Sequence, residues 1–118
     1  MTGIVFYRTE QREAVVEFYT ERLGFETWLE QDGGCRILRR ENLLLGFCDG
    51  AETESDGIVT VVLETEEAVD GMYDDLEAVA DHPPAVNEEF DIYHFFAQDP
   101  DGRAVEVQTF RHEVPDAP

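Results

Sequence analysis

The spacing of apolar and polar positions changes repeatedly along this chain, and each change marks an element. Residues 4–8 are rich in β-branched and aromatic side chains and predict a short strand. Ala14, Val15, Phe18, Tyr19 and Leu23 then recur at helical spacing. They predict a helix over 10–23, with Thr9 as its cap, Glu10 at its positive end and Gly24 just past its last turn. Three strand-like runs follow at 25–31, 35–40 and 43–48, separated by Asp32-Gly33-Gly34 and by Glu41-Asn42. After an acidic connector over 49–57 the order begins again, with a strand at 58–63. A second helix, capped by Thr65, carries Ala68, Val69, Met72, Tyr73 and Leu76 on one side and stops at His82-Pro83-Pro84. Strands at 85–89, 92–97 and 104–110 complete the pattern, and the tail over 113–118 reads as frayed.

The two halves also match in residues. Glu13-Ala14-Val15 recurs as Glu67-Ala68-Val69, Phe18-Tyr19 as Met72-Tyr73 and Ile4 as Ile58, each 54 positions on. These matches coincide with the repeated order of elements, so the reading is a duplicated βαβββ unit of the α+β class. A single domain is expected over 1–112, with units at about 3–50 and 57–111.

Composition narrows the setting. The chain has 28 acidic residues against 8 basic ones, every one of these an Arg, for a net charge of −20 over 118 residues. The acid is spread along helices and loops rather than gathered in a tail, which points to salt adaptation: molar salt shortens the Debye length to about 3 Å and screens the self-repulsion. Nucleic acid and anionic membranes need basic patches and are not expected partners. No apolar run nears the length of a membrane span and no leader is visible, so a cytoplasmic protein is expected.

The sharpest motif is Asp99-Pro100-Asp101-Gly102 followed by Arg103-Ala104-Val105-Glu106, a hairpin in which Pro100 presets a turn and Gly102 can take positive φ. Together with Phe18-Tyr19 and Leu23-Gly24-Phe25, it resembles the vicinal oxygen chelate superfamily of glyoxalases, bleomycin-resistance proteins and dioxygenases, from Ile4 to Phe110. The resemblance implies two βαβββ units forming a curved mixed sheet, a cup for a small molecule, and often a homodimer. It also implies a divalent metal held by side chains of the first strand of each unit, the fourth strand and the last strand. Glu106 matches the last-strand carboxylate, but the other positions fall on Ile4, Leu44 and Ile58, which have no lone pair to give. No metal centre and no other cofactor is therefore expected, with a divalent metal kept as the alternative.

Strand alternation identifies the residues that share a face with Glu106. They are Ala104, Gln108 and Phe110 on its own strand, Ile92, His94 and Phe96 on the strand before, and Thr60 and Val62 on the fifth. The register requires an odd loop with a bulge at Gly102, which sets Phe96 opposite Glu106 and His94 opposite Gln108. In the first unit Ile4, Phe6 and Arg8 share a face, and a two-residue turn at Glu41-Asn42 sets Cys35 opposite Cys48 on the face of Leu44. The candidate ligand-contacting residues are Arg8, Cys35, Cys48, His94, Phe96, Glu106 and Gln108. Each has a plainer reading: Glu106 as the ion-pair partner of Arg8, His94 as a hydrogen-bonded core histidine, the cysteines as small buried hydrophobes rather than a redox pair. The function expected is binding of a small molecule in the manner of the bleomycin-resistance proteins. The alternative is a metal-dependent lyase or dioxygenase with a displaced metal site built from Glu106, His94 and a thiol.

Overall fold

The computed structural model describes residues 2–116. These fall into two compact units, one ending at Ser55 and the other beginning at Asp56. Residues 113–116 of the tail carry no helix or strand, and the expectation for 117–118 lies outside the described residues.

The first unit runs β1 (Ile4–Thr9), α1 (Arg12–Arg22), β2 (Glu26–Gln31), β3 (Cys35–Arg40) and β4 (Leu43–Asp49). Its sheet has the order β1-β4-β3-β2, with β1 parallel to β4 and the other pairs antiparallel. One face carries Leu38, Leu45 and Phe47 against α1, where Tyr19 is fully buried with its ring centroid 5.0 Å from that of Phe47 and 5.5 Å from that of Phe25. Tyr19 is thus a packing residue, whose ring contributes through burial and edge-to-face contact. Gly24 has φ +74 past the end of α1, the left-handed conformation in which a glycine ends a helix without strain.

Thr9 does not cap α1. It ends β1, its hydroxyl accepts from the N–H of Gln11 at 3.0 Å, and the helix starts two residues later than expected, behind Gln11. The strand claims the residue first, because the Thr9 carbonyl is already bonded to the N–H of Gly50. The connector is tied to the same strand: Arg8 N–H donates to Glu54 Oε1 at 2.8 Å, and the Arg8 carbonyl accepts from Glu54 N–H at 2.9 Å.

The second unit repeats the order with β5 (Ile58–Val62), α2 (Glu66–Leu76), a 3-10 turn (Glu77–Val79), β6 (Ala85–Asn87), β7 (Ile92–Gln98) and β8 (Ala104–Phe110). Its sheet order is β5-β8-β7-β6, with β5 parallel to β8, the same arrangement strand for strand as in the first unit. The chain is thus α+β, and its strands divide into two four-stranded mixed sheets. Thr65 caps α2 as expected, its hydroxyl accepting from Ala68 N–H at 3.0 Å. Val59, Val61, Phe95, Val105 and Val107 are buried on the face toward α2, where Tyr73 meets Phe95 edge to face with centroids 5.4 Å apart. Among the described residues no helix is long and apolar enough to cross a membrane.

Candidate functional site

The last hairpin sets the site, and its turn is built to hold register. Gly102, at φ +78, returns its N–H to the Asp99 carbonyl, while Asp99 N–H bonds the Arg103 carbonyl; this is a turn closed by a glycine bulge. Arg103 is fully buried, with Nη1 on Asp99 Oδ2 at 2.5 Å and Nη2 on Asp101 Oδ2 at 3.2 Å. Asp99 Oδ1 also accepts from the N–H groups of Asp101 and Arg103. The turn chemistry of this stretch carries no signal of the buried ion pair within it. The register is the expected one: Phe96 opposes Glu106, His94 opposes Gln108, and Thr60 lies beside Glu106 on the parallel strand.

Glu106 sits at the centre of that face, nearly buried, and both carboxylate oxygens are occupied. Oε1 accepts from the Thr60 hydroxyl and from Gln108 Nε2, each at 3.0 Å, and Oε2 lies 2.7 Å from His94 Nδ1. A carboxylate only accepts, so Nδ1 of His94 is the donor of this bond and Nε2 is the ring nitrogen left outside it. Nε2 has no partner among the described residues. Gln108 is oriented by the same logic, with its amide N–H toward the carboxylate and its carbonyl turned away; that Oε1 is buried without a partner. His94 Nε2 and the Gln108 Oε1 acceptor thus flank the carboxylate and remain unused. The Phe96 ring, centroid 5.3 Å from that of His94, supplies the aromatic neighbour.

His82, which the sequence marks only as part of a helix stop, joins this group. Its ring centroid lies 5.9 Å from that of His94, its Nδ1 bonds the Pro83 carbonyl at 2.8 Å, and its Nε2 accepts from Phe96 N–H at 3.3 Å. A loop residue carries no periodic signal, so nothing in the pattern marked it.

Within its own sheet the partner of Glu106 is His94, while the backbone of Arg8 is held by Glu54 in the first unit. The reading of the two cysteines needs correction. Cys35 and Cys48 are opposite each other as the two-residue turn requires, but they are joined in a disulfide and present no thiols. Side chains at directly opposed positions of antiparallel strands lie close enough to bond when both are cysteine. Arg8 shares that sheet face, opposite Cys48 in the β1–β4 ladder.

The divalent centre implied by the resemblance does not fit these residues. Glu106 has its two oxygens bound by three donors of its own sheet, and the first residue of β5 is Ile58, which is 57% exposed and has no lone pair to give. Leu44 and Ile4 pair with each other in the first unit and are equally inert. Among the described residues no group of three or more His, Cys, Asp and Glu stands close enough to hold a cation.

Comparison with solved structures agrees with this architecture. A glyoxalase/bleomycin resistance protein/dioxygenase from Nocardioides is similar over 99% of this chain and 88% of its own, with TM-score 0.75 and 22% identity. An integron cassette protein from the mobile metagenome of a Halifax Harbour sewage outfall matches over 93% and 98%, with TM-score 0.79 and 21% identity. A lactoylglutathione lyase from Agrobacterium tumefaciens matches over 92% of each chain, with TM-score 0.75 and 18% identity. No protein-family model matches the chain, and no curated protein is similar enough to match it.

Proposed function

We propose that this chain, which has the fold of the glyoxalase/bleomycin-resistance/dioxygenase proteins, is a small-molecule-binding protein that works without that fold's metal. The observation that carries the reading is the occupied carboxylate of Glu106. Three donors hold it in place, which turns a potential metal ligand into an anchor for His94 and Gln108. The groups left open, His94 Nε2 and Gln108 Oε1, are hydrogen-bond acceptors beside the Phe96 ring. A ligand that donates N–H or O–H groups and carries an apolar or aromatic part meets all three. A buried acceptor left without a partner is unfavourable by about 1–3 kcal/mol, which a donor on the ligand recovers.

Elemental analysis and native mass spectrometry of protein purified from its own host, without chelator, test the reading together. The expected result is a non-covalent organic adduct on the wild type, lost in Gln108→Leu, with metal far below one equivalent. Near-stoichiometric divalent metal that Glu106→Gln abolishes would instead establish the displaced metal site of a lyase or dioxygenase.

The same reading includes a cytoplasmic, salt-adapted homodimer. It is supported by the net charge of −20 and by the open edges of two four-stranded sheets. Light scattering in molar KCl should give twice the 13.4 kDa of one chain.

A further inference from the structure

The first unit holds a cleft of about 420 Å³ at the β2–β3 edge, lined by Glu26, Trp28, Arg39, Arg40 and Glu41 among others. Its construction departs from an ordinary sheet edge in two ways. First, the β2–β3 ladder slips between Thr27 and Leu29, so Trp28 is the extra residue of a bulge on an edge strand. A bulge re-aims the side chain it carries, and here it sets the only Trp of the chain, 51% exposed, at the cleft. An indole left half in water at such a place is a contact surface in waiting.

Second, the charges in the cleft are not neutralised by each other. Elsewhere in the chain Arg12, Arg36, Arg103 and Arg111 are each in ion pairs. Glu26 lies directly opposite Arg39 in the ladder, and Glu41 follows Arg40, yet among the described residues none of these four is in an ion pair. Arg39 instead donates Nε to the Glu41 carbonyl at 3.0 Å, which orients its guanidinium and leaves both terminal nitrogens open. Arg40 lies past the start of β2, beside Gly24, where even an added Cβ would sit 3.7 Å from its Nε.

Two guanidiniums, two carboxylates and an indole around one cleft recognise both signs of charge at once. Guanidinium pairs a carboxylate in a planar fork. An indole face flanked by carboxylates takes an alkylammonium through cation–π attraction. A purely anionic ligand would enter against a chain of net charge −20, and a purely cationic one would leave both arginines uncompensated. A zwitterion meets neither objection, and the volume suits a small one. We propose that this cleft is a second binding site, independent of the Glu106 face, for a small zwitterion whose carboxylate pairs with Arg39 and Arg40 and whose ammonium lies on Trp28 between Glu26 and Glu41.

Trp28 is its own reporter, because no other Trp contributes to the fluorescence. Glycine betaine is titrated into the full chain at fixed ionic strength, with tetramethylammonium and acetate as the two half-ligands. The expected result is a saturable change with betaine that neither half-ligand reproduces at the same concentration. Replacing both arginines (Arg39→Gln with Arg40→Gln) should weaken betaine about tenfold or more, and Glu26→Gln should weaken it measurably, with far-UV circular dichroism unchanged in both variants. If the double variant does not fold, the Glu26→Gln result alone decides. No saturable change, tetramethylammonium acting as well as betaine, or fluorescence that follows protein concentration instead of betaine would each overturn the proposal; the last would assign the cleft to a second copy of the chain.

Discussion

His94 is tied to Glu106 through Nδ1, 2.7 Å from Oε2, so the nitrogen it leaves open is Nε2. The bond fixes the ring's orientation. Removing the carboxylate with Glu106→Ala strands three donors, Thr60, Gln108 and His94, in a nearly buried place, and about 3 kcal/mol of stability should be lost. Glu106→Gln keeps an acceptor for the Thr60 hydroxyl and the Gln108 amide and gives up only the bond to His94, so about 1 kcal/mol is expected. Urea unfolding of both variants checks the order; equal losses would mean the three donors are not held by the carboxylate.

Arg103 is buried against Asp99 and Asp101 within one hairpin. Arg103→Met keeps much of the volume and leaves two carboxylates without their cation, so stability should fall by about 3 kcal/mol. A loss under 1 kcal/mol in guanidinium unfolding would show that the pair contributes little to this turn.

Gly46 is held as glycine by Phe6, whose ring lies where a Cβ would be. Phe6 is 48% exposed and can swing away, so Gly46→Ala should be unfavourable by only about 1–2 kcal/mol. Adding Phe6→Ala should recover most of that loss. Simple additivity in the double-mutant cycle would disprove the contact.

Tyr93 donates its hydroxyl to Asp70 Oδ1 at 2.6 Å, and this bond, aided by burial and the Asp70 charge, raises its pKa from 10.0 to about 12. Between those values the folded chain keeps a proton that the unfolded chain has released. The stabilisation is therefore complete below pH 10 and fades as pH climbs through about 12. The difference in phenolate absorbance between wild type and Tyr93→Phe should titrate near the upper value, and Asp70→Asn should move it down.

With 28 acidic and 8 basic residues, melting temperature should rise as KCl goes from about 0.1 M into the molar range. A flat profile would separate the composition from salt adaptation.

What the sequence made legible follows from periodicity and turn chemistry. The Asp99-Pro100-Asp101-Gly102 turn and strand parity together determined which residues share the face of Glu106, and the two-residue turn at Glu41-Asn42 determined that Cys35 opposes Cys48. Parity assigns a face and not a partner, however. That His94 is bonded to Glu106 depends on side-chain reach within one sheet, which parity does not carry. Thr9 failed as a cap because the strand ladder competed for it, a contest local preference cannot score. The bulge at Trp28 left no mark in a stretch whose residues all read as strand, so the cleft beside it was invisible.

The Cys35–Cys48 bond closes β3 and β4 at the end away from their two-residue turn, so the hairpin is a covalent ring with the ladder inside it. Such a ring cannot peel apart from either end. Amide protons between Arg36 and Phe47 should then exchange with solvent only through opening of the whole unit, while those of the outer strands β1 and β2 exchange through fraying. Under mechanical tension the consequence is the same: the outer strands detach first, and the ring is the last piece of the first unit to lose its shape.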